Sequence, residues 1–328
     1  MVVLDCIIPA HEKDFETLSH CIRSLRRCCP GVRRILVVSK IPWDDATVED
    51  CAVEWVDEAD PRWPFRLCDI TDCGCAPGWL FQQLLKLHGP LLLDGLTDHV
   101  LVCDADVVWL LQDSPLTFFT PEAESLLCTF DSDGCPPIRS AVDLHRYDAF
   151  PAALLPGLQK PRLGSQTAVC HHSVLDTSVL RALFEEVAEV CPGQAFWEAF
   201  VAAARACGGR ASEYELYHAF ASSRFPLKVR TRALPFAVVA DIQATMDDPP
   251  AGVAFAVAHS HLRGLDVADL QDRVGIINGN TEGEIVRRLA GQYLDEESAS
   301  ELGALWQARG SRELSNSLRK RTSKLTKK

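Results

Sequence analysis

Nowhere in its 328 residues does this chain hold an unbroken run of about 18 apolar side chains, so no transmembrane helix is expected. The opening segment, Met1 to Pro9, is short and has no basic flank, and it reads as a first core strand rather than a secretory signal. No C-x-x-C spacing joins any of the 14 cysteines, which are expected to be reduced thiols in a cytoplasmic setting. Cys68, Cys73 and Cys75 lie close together without a matching Cys or His pair, and read as core and loop thiols rather than a zinc site. There is no Gly-Lys dipeptide and hence no Walker A loop, and no G-x-G-x-x-G dinucleotide fingerprint. A G-x-S-x-G nucleophile elbow is missing too, and His11-Glu12 does not open an H-E-x-x-H helix. Basic side chains are in deficit: 33 Lys and Arg against 45 Asp and Glu give a net charge of -12. Such a surface repels phosphate backbones, so no nucleic-acid partner is expected.

What is present is a globular composition, 47% hydrophobic and 24% charged, with enough apolar side chain to offset chain entropy over most of the length. One domain is expected over 1–312, followed by a basic tail over 313–328. From Arg319 to Lys328 there are six basic side chains and no acidic one. That tail reads as solvated, disordered chain, with weak contact to an anionic membrane surface or an acidic partner as the alternative.

Leu4 to Pro9 and Arg34 to Ser39 read as continuous apolar strands, with Ala52 to Val56 as a third. Between the first two, Phe15, Leu18, Ile22 and Leu25 recur at helical spacing over Phe15 to Arg27. This β-α-β order predicts an α/β fold with a mostly parallel sheet covered on both faces. A long loop is expected over Asp57 to Pro77, a helix over Trp79 to His88 and a strand over His99 to Cys103. Strands are expected at Leu126 to Phe130, Thr167 to Cys170, Phe236 to Ala240 and Val253 to His259. Helices are expected at Thr177 to Val190, Ala195 to Cys207, Ser212 to Ser222, Leu265 to Arg273, Gly283 to Leu294 and Ser300 to Ala308. The second half is therefore the richer in helix.

The sharpest chemical feature is Cys103-Asp104-Ala105-Asp106. Two carboxylates two residues apart, at the carboxyl end of a buried strand, lie where open α/β sheets bind ligands. Such a pair can hold Mn²⁺ or Mg²⁺ against a nucleotide diphosphate, although Asp is also common in turns after strands. In Val257-Ala-His259-Ser-His261-Leu-Arg-Gly264, the two histidines are spaced to project from one side of a strand end, and one of them would complete a metal shell. Ser212-Glu-Tyr-Glu215 has the form of a capping box, which gives Glu215 a structural task and leaves Glu213 as the first candidate for a general base, with Glu215 second. Gln83 and Lys86 stand on the helix before the acidic strand, with Lys86 within reach of a phosphate. The loop Pro9-Ala10-His11-Glu12-Lys13, with Lys40 closing the second strand, is where the base and ribose of a nucleotide would lie in a doubly wound sheet.

Together these segments resemble a GT-A-type glycosyltransferase, and in particular a viral and bacterial family of unassigned function grouped with nucleotide-diphospho-sugar transferases. The likeness rests on Ile8-Pro-Ala-His-Glu-Lys-Asp14, Gly78-Trp-Leu-Phe-Gln-Gln-Leu-Leu-Lys-Leu87, Val102-Cys-Asp-Ala-Asp106, Cys170-His-His172 and Ser212-Glu-Tyr-Glu-Leu-Tyr217. It implies a GT-A fold with a nucleotide-sugar half over about 1–135 and an acceptor half over about 136–312. It also implies a UDP-linked sugar donor, a glycan or other hydroxyl acceptor, and Mn²⁺ or Mg²⁺ on Asp104, Asp106 and either His259 or His261. Donor contacts would come from Pro9, Ala10, His11, Lys13, Lys40, Gln83, Lys86, Cys103, Asp104 and Ala105, and His171 and His172 would fall on the acceptor side. The rival readings are a nucleotidyltransferase acting on sugar phosphates, which should carry a glycine-rich loop where Pro9 to Asp14 has none, and an inactive nucleotide-binding scaffold.

Overall fold

The computed structural model describes residues 2–43, 52–110, 118–119, 126–130, 147–158, 168–233, 236–239, 241–249, 253–260 and 263. The strand β1 (Leu4–Pro9) is buried at all six positions, as a strand covered on both faces must be. Helix α1 (Phe15–Cys28) returns the chain to β2 (Val32–Ser39), which pairs with β3 (Val53–Asp57). Next come α2 (Pro77–Leu92), opened by a proline in its first turn, and β4 (His99–Cys103). The order β3-β2-β1-β4 is wholly parallel, and β7 (His172–Asp176) closes the sheet by running antiparallel to β4. The molecule is thus an α/β protein with a mostly parallel central sheet flanked by helices, as a Rossmann-like arrangement requires.

A second sheet of three strands carries the site's other wall. It is built from β5 (Val107–Trp109), β9 (Phe236–Val238) and β10 (Phe255–Val257), in the order β5-β10-β9. A separate parallel pair joins β6 (Leu126–Phe130) to β8 (Val229–Ala233). Helices α3 (Ala149–Leu154), α4 (Thr177–Val190), α5 (Phe196–Ala206), α6 (Glu213–Arg224) and α7 (Ile242–Asp247) complete the described chain. None of the described helices is long and apolar enough to cross a membrane.

One strand changes its place. The strand expected at Thr167 to Cys170 begins instead at His172, because its ladder to β4 starts at the Cys103–His172 pair. The long loop expected from Asp57 to Pro77 is present, with one short 3₁₀ turn at Leu67–Asp69, and it buries Trp63 and Phe65 and packs Phe65 edge-on against Phe81 of α2. Each such side chain removed from water contributes roughly 1.5–3 kcal/mol. The helices expected over 265–273, 283–294 and 300–308, His261, and the basic tail all lie outside the described residues.

Candidate active site

Asp104, Ala105 and Asp106 span the point where the chain leaves the five-stranded sheet and joins the three-stranded one. Two antiparallel pairings bring histidines to that point. On the β7 side, Asp104 N–H donates to the His171 carbonyl at 2.9 Å, one step beyond the Cys103–His172 pair. On the β10 side, the ladder ends at Val257–Val107, and Ala258 N–H donates to the Asp106 carbonyl at 3.0 Å, which sets His259 beside Asp106. His171 Nδ1 then lies 2.9 Å from Asp104 Oδ2, and His259 Nδ1 lies 3.3 Å from Asp106 Oδ2. The two imidazole centres are 5.1 Å apart.

Asp104, Asp106 and His171 each offer a ligand atom, and these atoms all fall within 4.8 Å of one another. Carboxylate plus imidazole suits Mn²⁺ and similar divalent ions, so the residues present fit a metal. Burial pushes against ionisation of the Asp104 carboxyl, yet Lys86 and His171 beside it hold it well below the usual carboxylate range. Burial likewise pulls the His171 imidazole down, but the Asp104 carboxylate outweighs it and the net shift is upward.

Behind Asp104 sits a buried cation. The Lys86 ammonium, 1% exposed, donates to Asp104 Oδ1, to Glu213 Oε1 at 2.7 Å and to Tyr214 Oη at 3.1 Å. Tyr214 O–H in turn donates to Asp104 Oδ1 at 3.1 Å. Burial raises the Glu213 carboxyl above its ordinary value although Lys86 opposes it. Burial also drives the Tyr214 hydroxyl well above its own.

These groups line a cleft of about 600 Å³ that also holds Lys86, Ala105, His171, Glu213 and His259. A second cavity of about 560 Å³ lies over the loop after β1 and takes in Ala10, His11 and Lys40. Pro9, Lys13, Asp14, Trp79 and Gln82 line both. The structure therefore gathers most of the residues expected to hold a nucleotide, in two adjoining spaces at the carboxyl ends of β1, β2 and β4.

Five expected site residues are placed elsewhere, the first being His171, expected on the acceptor side and found grouped with Asp104 and Asp106. Gln83 is buried and spends its Oε1 on the Glu213 N–H at 3.1 Å, while its neighbour on the cleft side is Gln82. Cys103 is fully buried at the strand end, and its thiol donates to the Asp104 carbonyl at 3.4 Å. His172, expected on the acceptor side, is 2% exposed and packs its ring against Trp109 at 4.7 Å and Phe255 at 5.1 Å. Glu215 is buried, with Oε1 accepting from Ala168 N–H at 2.8 Å, so only the serine half of the expected capping box forms, Ser212 Oγ accepting from Glu215 N–H. Asp14, Trp79, Gln82, Tyr147 and Tyr214 also line the cleft, and none of them is among the site residues expected from the sequence. For Trp79 and Gln82 the signal was their i, i+3 spacing, which puts both on one helix face.

No protein-family model matches the chain, and no curated protein is found similar to it. Among solved structures it is similar to mouse xyloside xylosyltransferase 1 in its apo form, with a TM-score of 0.39 and 10% identity, covering 80% of this chain and 99% of that one. At that distance the likeness says nothing about activity.

Proposed function

We propose that this chain is a divalent-metal-dependent glycosyltransferase that moves a sugar from a nucleotide diphosphate, UDP in the first instance, to an acceptor hydroxyl. One observation carries the reading. Two aspartates and a histidine converge where β4 ends, in a cleft that shares its wall with a cavity over the loop after β1. Asp104, Asp106 and His171 would hold the metal, with His259 beside Asp106. Such an ion, when bound, supplies positive charge that offsets charge developing on a leaving diphosphate. The chain's own groups do the rest. Lys13 and Lys40 flank the second cavity, where the nucleotide would lie, and Trp79 and Gln82 form the wall between the two spaces. Glu213 faces the cleft, and its carboxyl, raised by burial, suits a proton acceptor for the incoming hydroxyl. In-line attack with that base would invert the anomeric centre.

The test is a panel of nucleotide sugars assayed for binding, hydrolysis and transfer with and without Mn²⁺. Mn²⁺-dependent turnover of one donor, lost in Asp104→Asn and Asp106→Asn, is the expected result. Turnover that both variants retain would remove the metal site from the reaction. Full transfer by Glu213→Gln with normal donor binding would remove the base.

A further inference from the structure

We infer that Lys86 is the resident counter-cation of the acidic site, a positioning residue that competes with a divalent ion for the charge on Asp104, and is not a phosphate ligand. The inference rests on the divalent-metal reading of Asp104, Asp106 and His171.

An ammonium has three N–H donors and no acceptor. Those of Lys86 meet three oxygens, on Asp104, Glu213 and Tyr214. All three donors are thus in use inside the protein, two of them on carboxylates whose charge would be costly to leave unpaired, and a phosphate would have to displace one of these partners. The surroundings hold Lys86 in place. On α2, Gln83 and Lys86 share a helix face, and both reach the first turn of α6, Gln83 through the Glu213 N–H and Lys86 through the Glu213 carboxylate. Tyr214 and Lys86 both bind Oδ1 of Asp104, which fixes that oxygen inward. Oδ2 carries neither of those bonds and lies 2.9 Å from His171 Nδ1, and Asp104, Asp106 and His171 bring ligand atoms within 4.8 Å of one another.

Charge completes the case. Asp104 and Glu213 against Lys86 leave one negative charge on the trio, to which Asp106 adds its own. Lys86 thus sets how strongly the site attracts a divalent ion, in surroundings that screen charge poorly. Lys86→Met should tighten binding of Mn²⁺ and Glu213→Gln should weaken it, each by about tenfold or more. The double variant restores the charge of the natural trio and should return to within about threefold of the natural protein. Lys86→Arg should stay near the natural affinity.

The experiment is titration of the full chain with Mn²⁺ alone, read by electron paramagnetic resonance, with thermal melting to confirm folding. The graded order supports the assignment. A folded Lys86→Met whose Mn²⁺ affinity is unchanged or weaker overturns it. If Lys86→Met fails to fold, a Glu213→Gln protein that binds Mn²⁺ as tightly as the natural one overturns it equally. Titration with UDP in the absence of metal forms a second arm: weaker UDP binding by Lys86→Met with unaltered Mn²⁺ affinity would make Lys86 a phosphate ligand after all. If no protein in the series binds Mn²⁺, the metal reading itself falls and takes the assignment with it. Binding by the natural protein without the graded order defeats the assignment alone.

Discussion

His171 and His172 are adjacent in the chain yet face opposite fates: one imidazole lies 2.9 Å from Asp104 Oδ2, the other is sealed among Trp109, Phe118 and Phe255. His171 achieves this with φ of +59°, a left-handed backbone that few residues other than glycine, asparagine and aspartate adopt readily. His171→Asn keeps that tolerance and should alter stability by no more than about 1 kcal/mol, while weakening Mn²⁺ binding about tenfold or more. His172→Ala instead empties a core position and should cost about 2–3 kcal/mol. Denaturant melts and Mn²⁺ titrations on the two variants check both expectations, and equal stability losses would contradict the division of labour.

His88 is enclosed by Phe65 at 4.9 Å, Phe184 at 4.8 Å and Phe196 at 5.6 Å, with no hydrogen-bond partner for its Nε2 among the described residues. Burial pulls its pKa down to about 3 from an ordinary 6.5. The folded state therefore keeps His88 neutral where the unfolded chain protonates it. This stability is whole above pH 6.5 and drains away as pH falls toward 3. At pH 5 the loss amounts to about 2 kcal/mol. His88→Leu removes both the proton linkage and the buried orphan nitrogen. It should be at least as stable as the natural protein at pH 7.5 and gain about 2 kcal/mol on it at pH 5. Urea melts at the two pH values measure the difference.

Gly208 and Gly209 look interchangeable in sequence but are not. Both have left-handed φ, +63° and +79°. A Cβ at Gly208 would meet nothing within 4 Å, whereas one at Gly209 would collide with the Gly74 carbonyl. The 71–75 segment is also pinned there by Arg205, whose guanidinium donates to the Asp72 and Thr71 carbonyls at 2.7 and 3.1 Å. Gly208→Ala should cost about 1 kcal/mol for backbone strain alone. Gly209→Ala must displace backbone as well and should cost about 3 kcal/mol. Chemical denaturation of the pair gives the comparison.

What could be read from the residues follows from the range of the forces involved. The apolar run Leu4–Pro9, which the structure buries at every position, and the run His99–Cys103 leading into Asp104 are local patterns, and they suffice to locate two strands of the sheet and the acidic turn. The choice between His171 and His172 was out of reach, because a left-handed residue breaks the alternation that assigns strand faces. Glu215 has a structural task, as its spacing suggests, but with a different partner. A capping box needs only four residues, but the partner that claims its carboxylate is Ala168 N–H, 47 positions earlier. Lys86 is the extreme case. Its spacing on α2 showed a helix face, whereas its meaning comes from Glu213 and Tyr214, 127 and 128 positions later.

Arg263 ties the end of the β10 segment to the loop after β1. Its guanidinium donates to the Ala258 carbonyl at 2.9 Å, the Lys13 carbonyl at 2.7 Å, Asp14 Oδ1 at 2.7 Å and Thr17 Oγ1 at 3.0 Å. Lys13 and Asp14 line both cavities, so one side chain holds the shared wall to the segment after β10 that carries His259. Burial already pushes the Asp14 carboxyl above its ordinary value, with Arg263 restraining it. Arg263→Met should therefore destabilise by about 2 kcal/mol, since it loses charge-assisted bonds and leaves a half-buried carboxylate unpaired. Because the partners are in contact, the losses should not add: Asp14→Asn in the Arg263→Met background should recover about half of that cost. The same variant should bind UDP with Mn²⁺ more weakly than the natural protein, because the loop that carries Lys13 is no longer anchored. A double-mutant cycle read by denaturant melts, with calorimetric titration of UDP, measures both effects, and strict additivity of Arg263→Met and Asp14→Asn would show that the guanidinium is not the latch.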